Sequence, residues 1–504
     1  MNPFDLDRPI IELASSNEKS SWTLRHAVEG VQIFGGIGSG KTSGSGRMLA
    51  LKYLSAGFGG LVLTVKPDEK QAWQQYCKIA NREKDLICIE PGGDHSFNFL
   101  QYVSANADGK DAITENIVDV LKTVIRAGDS KGGGKTDDAF WETALDLLIF
   151  NVIDLCRLAY GKVSIQQMYD IVLSVPKSQD GVIIETPGDE NKAFQKALRL
   201  ASRNVVEKID AWEKSQSDEF RERMMEDPTG YEAEMFDAVP QSRVLRFVDQ
   251  FFTDNLITLN EKTRSIIDFS FSGFLFRLLR EPIYSLFCKY GSTVTPEDSL
   301  NGKIILLNLP VKIYHKVGRD CQVLFKYIWQ QAMEKRNVNE NSRPMFLWAD
   351  EAQNFLHEHD ASYQATARSS RIATVYISQN LPNYFASMGG EKSEQRVKSF
   401  LGTLSTKIFH ANADIETNSY ASNLIGKIYF INESDQTGLT QQYSKSVSKS
   451  VVLEHAVRSE QLIQLKTGGP QNKFIVEGYM HRQGDTLFGN RNHLKMNFNQ
   501  NYQP

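Results

Sequence analysis

The chain has 504 residues, of which 41% are hydrophobic and 23% are charged, and its formal net charge is −4. This balance is typical of a globular protein with several domains, and it excludes an overall basic charge as an argument for nucleic-acid binding. The five cysteines form no C-x-x-C pair, so the sequence predicts neither a disulfide framework nor a zinc site and fits a reducing compartment.

The sequence contains no run of 18 apolar residues, and its N-terminal segment lacks a basic stretch followed by an apolar core. It therefore predicts a cytoplasmic protein without a signal peptide or a membrane-spanning helix. If the protein works at a membrane, we expect a partner subunit to hold it at the inner face.

Apolar runs alternate with helical patterns in the first part of the chain. After a leader of mixed polarity at 1–30, the segment EGVQIFGG predicts a buried strand, and KTSGSGRMLALKYLSAG predicts the helix that follows it. GGLVLTVKPDEKQAW repeats this strand-to-helix pattern, and DLICIEPGG predicts a third strand. Continuous apolar strands that alternate with helices indicate a parallel sheet covered on both faces. We assign residues 31–109 to the first part of this α/β domain.

The pattern changes over residues 110–299. Segments such as AITENIVDVLKTVIRA and AFWETALDLLIFNVIDLCRLAYG place apolar residues at helical spacing, and the remainder of the region is charged and poor in strands. The sequence therefore predicts an inserted all-α domain here.

The sheet pattern resumes at residues 300–485 with GKIILLNLP, MFLWADE, IATVYISQN and STKIFHAN, and KFIVEGYM predicts an edge strand. Residues 486–504 predict a polar tail that frays. The predicted fold class is α/β, with a mainly parallel twisted sheet that is interrupted by the all-α domain.

The segment GGIGSGKT, residues 35–42, matches the phosphate-binding pattern G-x-x-x-x-G-K-[ST] in full, and it lies between a predicted strand and a predicted helix. Glycines allow successive backbone N–H groups to point at phosphate oxygens, and the helix N-terminus adds a partial positive charge. Lys41 is expected to reach the β- and γ-phosphates of ATP, and the Thr42 hydroxyl to ligate Mg²⁺. The predicted nucleotide-binding residues are Gly35, Gly36, Gly38, Ser39, Gly40, Lys41, Thr42 and Ser43.

Two glycine-rich stretches need a separate explanation. The SGSG that follows Thr42 is unusual, since glycine costs about 1 kcal/mol in a helix interior. It indicates either close packing against the helix or a late helix start. A second Gly-Lys-Thr, at 134–136, has Asp129 where the pattern requires its first glycine, and no strand precedes it. That segment predicts a mobile polar loop.

The segment MFLWADE, residues 345–351, predicts a buried strand that ends in two acids. Ligands bind at the carboxyl ends of strands in open α/β sheets, so we expect both acids to face the phosphate loop. Asp350 would hold the Mg²⁺ shell, and Glu351 would polarise the attacking water.

Polar side chains also flank the predicted strand IATVYIS. Gln379 follows this strand and could contact the γ-phosphate or the water. Arg368 lies eleven residues before Gln379 and could act as an arginine finger in the site of a neighbouring subunit. Arg371 is an alternative finger, and a surface ion pair remains an alternative role for either arginine.

Taken together, these motifs resemble the FtsK–HerA class of ring-forming DNA-pumping ATPases, and within it the TraG/TraD group of type IV coupling proteins. The order of VKPDE, FW and DEAQNF, together with the R-x₁₀-Q spacing, narrows the resemblance to this group. The similar segments span most of the chain and are LRHAVEGVQIFGGIGSGKT, LVLTVKPDE, FNFL, FWETALDLL, GKIILLNLP, LWADEAQNF, ARSSRIATVYISQN and ETNSYASNLIGK.

The resemblance implies a RecA-like nucleotide-binding domain, a hexamer with its sites between subunits, and ATP-driven movement of DNA through a central channel. It also implies that the all-α domain helps to recruit a relaxase or another substrate protein for a secretion channel. The residues that take the catalytic and binding roles given above are Lys41, Thr42, Asp350, Glu351, Arg368 and Gln379.

One departure from the family pattern leaves alternatives open. Members commonly carry N-terminal transmembrane helices, which this sequence lacks. The leading hypothesis is a coupling protein that docks on a separate membrane-anchor subunit and delivers DNA with its relaxase. The alternatives are a HerA-like hexameric ATPase in DNA processing or anti-phage defence, and an ATP-gated recruitment scaffold that does not pump DNA.

Overall fold

The structure is a computed structural model. The residues that it describes are 3–14, 19–105, 112–129, 138–176, 178–179, 182–183, 192–357, 359–388, 393–439, 443–484 and 491–504.

The chain forms two compact units. The first unit contains Met1–Cys88, Pro296–His315 and Ile328–Pro504, and the second contains Ile89–Thr295 and Lys316–Tyr327. The strands are β1 Pro9–Ala14, β2 Lys19–Thr23, β3 Val31–Phe34, β4 Gly59–Leu63, β5 Leu86–Ile89, β6 Ser178–Gln179, β7 Val182–Ile183, β8 Ile304–Leu307, β9 Met345–Ala349, β10 Ile372–Ser378, β11 Thr406–Phe409, β12 Lys427–Leu439, β13 Tyr443–His455, β14 Ile475–Arg482 and β15 His493–Asn499.

The helices of the first unit lie before and after the helical unit in the chain. They are α1 Leu24–Ala27, α2 Arg47–Ser55, α3 Glu69–Ile79, α13 Val311–Glu334, α14 His359–Ala367, α15 Leu381–Met388, α16 Ser393–Gly402, α17 Ile415–Ile425 and α18 Ser459–Ile463. Helix α13 has a non-helical residue, His315, and its segment Lys316–Tyr327 belongs to the second unit.

The first unit is built on a nine-stranded sheet of order β15-β14-β11-β3-β10-β9-β4-β8-β5. The central run of strands from β11 to β8 is parallel, whereas β14 and β15 pair antiparallel. Strands β3, β4, β8, β9 and β10 are buried along their whole length, as parallel strands covered on both faces must be. The predicted α/β class with a mainly parallel sheet is confirmed.

The described residues of the N-terminal leader predicted at 1–30 belong to this unit. Strands β1 and β2 form an antiparallel pair, and Trp22 on β2 is fully buried in the hydrophobic core. The Trp22 indole N–H donates a hydrogen bond of 3.1 Å to the Thr406 hydroxyl at the start of β11. The leader therefore joins the core, because an apolar side chain of this size stabilises the fold when it leaves water.

The prediction of a fraying tail at 486–504 is wrong for the described residues of that range. Strand β15 pairs with β14 over seven residues and occupies the sheet edge, so β14 lies one strand inside the edge, contrary to the prediction for KFIVEGYM. Phe498 is 1% exposed, and Leu494 and Met496 pack against the same core. This alternation of apolar residues is the strand signal that the polar composition conceals.

The second unit is mainly helical. Its helices are α4 Phe99–Ala105, α5 Ala112–Asp129, α6 Asp138–Tyr160, α7 Ile165–Ser174, α8 Ala193–Ser215, α9 Asp218–Glu226, α10 Pro228–Ala238, α11 Pro240–Gln250 and α12 Glu261–Leu278. It begins at Ile89 and not at residue 110, because the backbone of 96–98 bonds to residues 286–293. Beyond the predicted all-α content, β6 and β7 form a short antiparallel pair. Within the described part of the chain, no helix is long and apolar enough to cross a membrane.

Candidate nucleotide-binding site

The glycine-rich segment predicted to hold phosphates follows β3 at the carboxyl edge of the parallel strands. Gly40 has a φ of 80°, a conformation that favours glycine, and an added Cβ would lie 2.4 Å from Cγ2 of Val476. The Gly36 N–H donates a 2.8 Å hydrogen bond to the carbonyl of Ala411, which ties the start of the loop to the end of β11. Lys41 and Thr42 therefore lie after β3, at the carboxyl edge of the parallel strands.

The SGSG segment is explained by close packing and by a late start of the α-helix. Residues Thr42–Gly46 form one π-helical turn, in which the Gly46 N–H donates to the Lys41 carbonyl at 2.9 Å, and α2 begins only at Arg47. A Cβ on Gly44 would lie 3.0 Å from Cβ of Val476. A larger residue would therefore push β14 away from the phosphate loop.

Side chains from the C-terminal strands hold this turn in place. The Ser45 hydroxyl lies 2.7 Å from His410 Nε2, and His410 Nδ1 lies 2.8 Å from the carbonyl oxygen of Glu477. Burial lowers the pKa of His410 to about 4, so the ring is neutral at physiological pH. Because Nδ1 must then donate to the carbonyl, Nε2 accepts from Ser45. The Gln500 amide also donates to the Ser43 hydroxyl at 2.7 Å.

The two acids predicted to complete the site lie beside the loop. The Thr42 hydroxyl donates a 2.8 Å hydrogen bond to Asp350 Oδ2, and the Lys41 Nζ lies 3.9 Å from Glu351 Oε1. Asp350 is 3% exposed and Glu351 is 6% exposed, directly after β9. The structure therefore brings Lys41, Thr42, Asp350 and Glu351 together.

Glu351 is held in one orientation by amide groups. Its φ is 50°, in the left-handed region that non-glycine residues rarely adopt, which points to a functional constraint. The Gln353 amide donates to Oε2 at 2.9 Å, and the Gln379 amide lies 3.2 Å from Oε1. Burial alone would raise the pKa of Glu351, but these hydrogen bonds and the charges of Lys41 and Lys66 lower it. The side chain is therefore an ionised hydrogen-bond acceptor, as a water-activating group must be.

The structure places a second lysine in the site, which the sequence analysis missed. Lys66 Nζ lies 3.9 Å from Asp350 Oδ2 and 3.8 Å from Glu351 Oε1. Lys66 follows β4, whose neighbour in the sheet is β9. The signal that could have found it is its position shortly after the buried strand Gly59–Leu63, in the segment VKPDE.

Burial changes the acidity of the carboxyl groups here. It raises the pKa of Asp350, which the charge of Lys66 and the Thr42 hydrogen bond only partly offset. It also raises the pKa of Glu69 to about 8, and the neighbouring charge of Asp350 adds to this effect. Burial alone would lower the pKa of Lys66, but the charges of Asp350 and Glu351 raise it. Shifts of this kind cluster at functional sites.

Thr42 and Asp350 fit the requirements of Mg²⁺. They present a hydroxyl and a carboxylate oxygen 2.8 Å apart, and hard oxygen donors are what this ion prefers. Among the described residues, no group of three or more His, Cys, Asp or Glu side chains could hold a metal by itself. This donor set suits an ion that takes its other ligands from phosphate and water.

The two candidate arginines lie away from this edge of the sheet. Arg368 precedes β10, and its guanidinium is 59% exposed and 3.4 Å from Glu29, which precedes the parallel strand β3. Strand β10 has seven residues and is therefore about 20 Å long, so Arg368 cannot reach the phosphate loop of its own chain. The Arg371 guanidinium donates to the backbone carbonyls of Phe4 and Ser342 at 2.8 and 3.1 Å, which gives it a structural role. The second Gly-Lys-Thr, at 134–136, lies outside the described residues.

Comparisons with known proteins agree with this geometry. Residues 344–467 match the family model TraG-D_C, described as the TraM recognition site of TraD and TraG. The unbound bacterial conjugative coupling protein TrwBdeltaN70 has a TM-score of 0.53 at 13% identity, over 96% of this chain and 87% of that chain. TrwB with a non-hydrolysable ATP analogue gives 0.51 at 13% over 95% and 88%, and TrwB with ADP and Mg²⁺ gives 0.52 at 12% over 96% and 88%. No curated protein sequence matches the chain.

The parallel sheet, the glycine-rich loop after β3 and the acids after β9 define a RecA-like P-loop fold. The chain shares its fold with the conjugative coupling protein TrwB, and its residues 344–467 match the family model of TraD and TraG. The predicted resemblance to the TraG/TraD-like type IV coupling proteins is thereby confirmed.

Proposed function

We propose that the protein is an ATP-hydrolysing motor that moves DNA as a type IV coupling protein, delivering DNA with its attached relaxase to a secretion channel. The observation that carries this proposal is that the candidate site residues lie at opposite ends of the parallel strands of one sheet. Lys41, Thr42, Asp350 and Glu351 meet at the carboxyl edge, whereas Arg368 lies exposed at the opposite edge. A finger in that position can serve only the site of a neighbouring subunit.

Each residue at the carboxyl edge has a separate role in the proposed hydrolysis of ATP. Lys41 binds the phosphates, and Thr42 and Asp350 hold Mg²⁺, which neutralises phosphate charge when bound. Glu351 orients the attacking water and accepts its proton, because its carboxylate is ionised and held by Gln353 and Gln379. The contact with Glu351 also gives Gln379 a proposed role as a sensor of the nucleotide. Its amide would move when Glu351 contacts the water and the phosphate.

The separation of the nucleotide site from Arg368 favours a ring of identical subunits. Each subunit offers a nucleotide site on one edge and Arg368 on the other, so head-to-tail contacts would complete every site. We propose a hexamer, as the resemblance to the coupling proteins implies. The structures of TrwB with an ATP analogue and with ADP and Mg²⁺ support ATP as the nucleotide.

Protein partners follow from the matched region. Its family description names TraM as the protein recognised by TraD and TraG. We propose that residues 344–467 also contact a protein of the DNA-processing complex. We further propose that a separate membrane-anchor or channel subunit positions the motor at the inner face of the membrane.

The test is an ATPase assay on the full chain without DNA, with single-stranded DNA and with double-stranded DNA, at low and at high salt, with particle mass measured in parallel. We expect DNA to stimulate hydrolysis, the stimulation to fall steeply with salt, and ring-sized particles to be present. The Lys41→Ala variant controls for a contaminating ATPase.

The same assay separates the motor from a recruitment scaffold. Equal ATP turnover with and without DNA, together with no salt-sensitive DNA binding, would contradict the motor. DNA-stimulated turnover in particles that remain monomeric would contradict the ring and the role of Arg368 in a neighbouring site.

A further inference from the structure

Lys66 occupies an unusual place in the nucleotide site. Its ammonium lies 3.9 Å from Asp350 Oδ2 and 3.8 Å from Glu351 Oε1, between the two acids that follow β9. Its side chain is 31% exposed, whereas those of the acids are 4% and 8% exposed. The lysine thus reaches from the rim into a buried pair of carboxyl groups.

The carboxylate oxygen beside Lys66 is the one that the metal would use. Asp350 Oδ2 accepts the hydrogen bond from the Thr42 hydroxyl, and the same atom is the partner of the Lys66 ammonium. Two cations a few ångströms apart repel strongly in a poorly hydrated site. Mg²⁺ and the Lys66 ammonium therefore compete for this oxygen.

The surrounding charges explain why a cation is needed here without nucleotide. Asp350 and Glu351 are adjacent in sequence and buried, and a buried carboxylate without a counter-charge is costly. Lys41 lies 3.9 Å from Glu351, and Lys66 is the lysine that contacts both acids. The flexible four-carbon stem and partial exposure of Lys66 allow the ammonium to move out when another cation arrives.

We propose that Lys66 is a positioning residue that holds Asp350 and Glu351 in the nucleotide-free site and yields its place to Mg²⁺. The affinity for the metal is then set by competition with a side chain of the protein itself. As a consequence, Mg²⁺ without nucleotide binds poorly, and metal and nucleotide enter together. This inference rests on the proposed nucleotide site, but it requires neither DNA movement nor a ring.

The test is binding of Mn²⁺, a spectroscopic substitute for Mg²⁺, to the nucleotide-free full chain by electron paramagnetic resonance. We expect Lys66→Met to lower the dissociation constant about fivefold to tenfold, since it removes two partly screened ion pairs that oppose the metal. Lys66→Arg keeps the charge and is expected to bind Mn²⁺ no more tightly than the unchanged protein. Lys78→Met, which removes an exposed lysine from α3, is the matched control and should change nothing.

Two further measurements make the outcome decisive. Asp350→Asn should abolish the Mn²⁺ signal gained by Lys66→Met, which locates the ion in this site. The gain in ADP affinity on adding Mg²⁺ should be larger in Lys66→Met than in the unchanged protein.

If Lys66→Met fails to fold, Lys66→Gln serves in its place. Equal Mn²⁺ affinity in the unchanged protein and in the folded Lys66→Met or Lys66→Gln variant would overturn the proposal. Missing DNA stimulation alone would contradict only the motor.

Discussion

The Thr42 hydroxyl donates a 2.8 Å hydrogen bond to the Asp350 carboxylate, which lies 308 residues further along the chain. Thr42 ends the loop that follows β3, and Asp350 directly follows β9. Strand β10 lies between these two strands in the sheet. The helical unit lies between them in the sequence. Residues that precede the helical unit in the sequence and residues that follow it therefore form the candidate nucleotide site together. The two parts can be tested separately.

Glu351→Gln is expected to slow ATP turnover about 10²–10⁴-fold, because an amide cannot accept the proton of the attacking water. Affinity for ATP should change little, since the phosphate loop is intact. Turnover is measured by phosphate release and affinity with a fluorescent nucleotide. Turnover within threefold of the unchanged protein would show that another group activates the water.

Arg368→Ala should reduce turnover about 10³–10⁵-fold while ATP binding is retained, if the guanidinium completes the site of a neighbouring subunit. Mixing this variant with Lys41→Ala subunits should restore activity, because each intact loop can then meet an intact arginine. Arg396→Ala, which removes an exposed arginine from α16, is the control for a lost surface charge. Absence of rescue in rings that demonstrably mix would contradict the role in trans.

Gly44→Ala is expected to lower the free energy of unfolding by about 1–3 kcal/mol, since its Cβ would crowd Val476 in a packed core. Combining it with Val476→Ala should cost less than the sum of the two single changes, because the smaller side chain makes room. Denaturant unfolding measures all three variants. Gly402→Ala, whose Cβ would meet no atom within 4 Å, is the matched control. Strict additivity of the two changes would argue against the contact.

Acidification should destabilise the turn held by His410. Burial lowers the pKa of His410 to about 4, so the unfolded chain binds a proton on this histidine at a higher pH than the folded protein does. Stability from the neutral ring is therefore complete above the usual histidine pKa and is lost as the pH falls from about 6.5 towards 4, by about 1.4 kcal/mol per pH unit. His410→Gln should show a shallower fall in unfolding free energy over this range. Parallel curves for the two proteins would contradict the buried neutral ring.

Much of the site could be predicted because its parts follow apolar strands. The loop after β3 and the acids after β9 carry both a motif and a strand, and strand ends meet at one edge of a parallel sheet. Lys66 was missed because a lysine after a strand is common and its partners are distant in sequence. The different positions of Arg368 and Arg371 could not be predicted, because Arg371 is held by backbone carbonyls that no sequence pattern encodes.

The ends of the first unit were harder to predict for a different reason. Trp22 and Phe498 lie in segments of mixed polarity, where burial depends on partners from other parts of the chain. Strand β15 alternates apolar residues with asparagine and lysine. This strand pattern is short, and the polar composition around it is typical of a disordered tail, so the prediction followed the composition. Tertiary packing decided these elements, as it often does for short strands.

The packing of Val476 against Gly40 and Gly44 has a consequence for biosynthesis. More than four hundred residues separate this strand from the loop that it supports, so the ribosome must add all of them before the two can meet. A nascent chain that has released the loop but not β14 lacks the wall that shapes its first turn. The packing around this loop is therefore completed only after β14 has been synthesised.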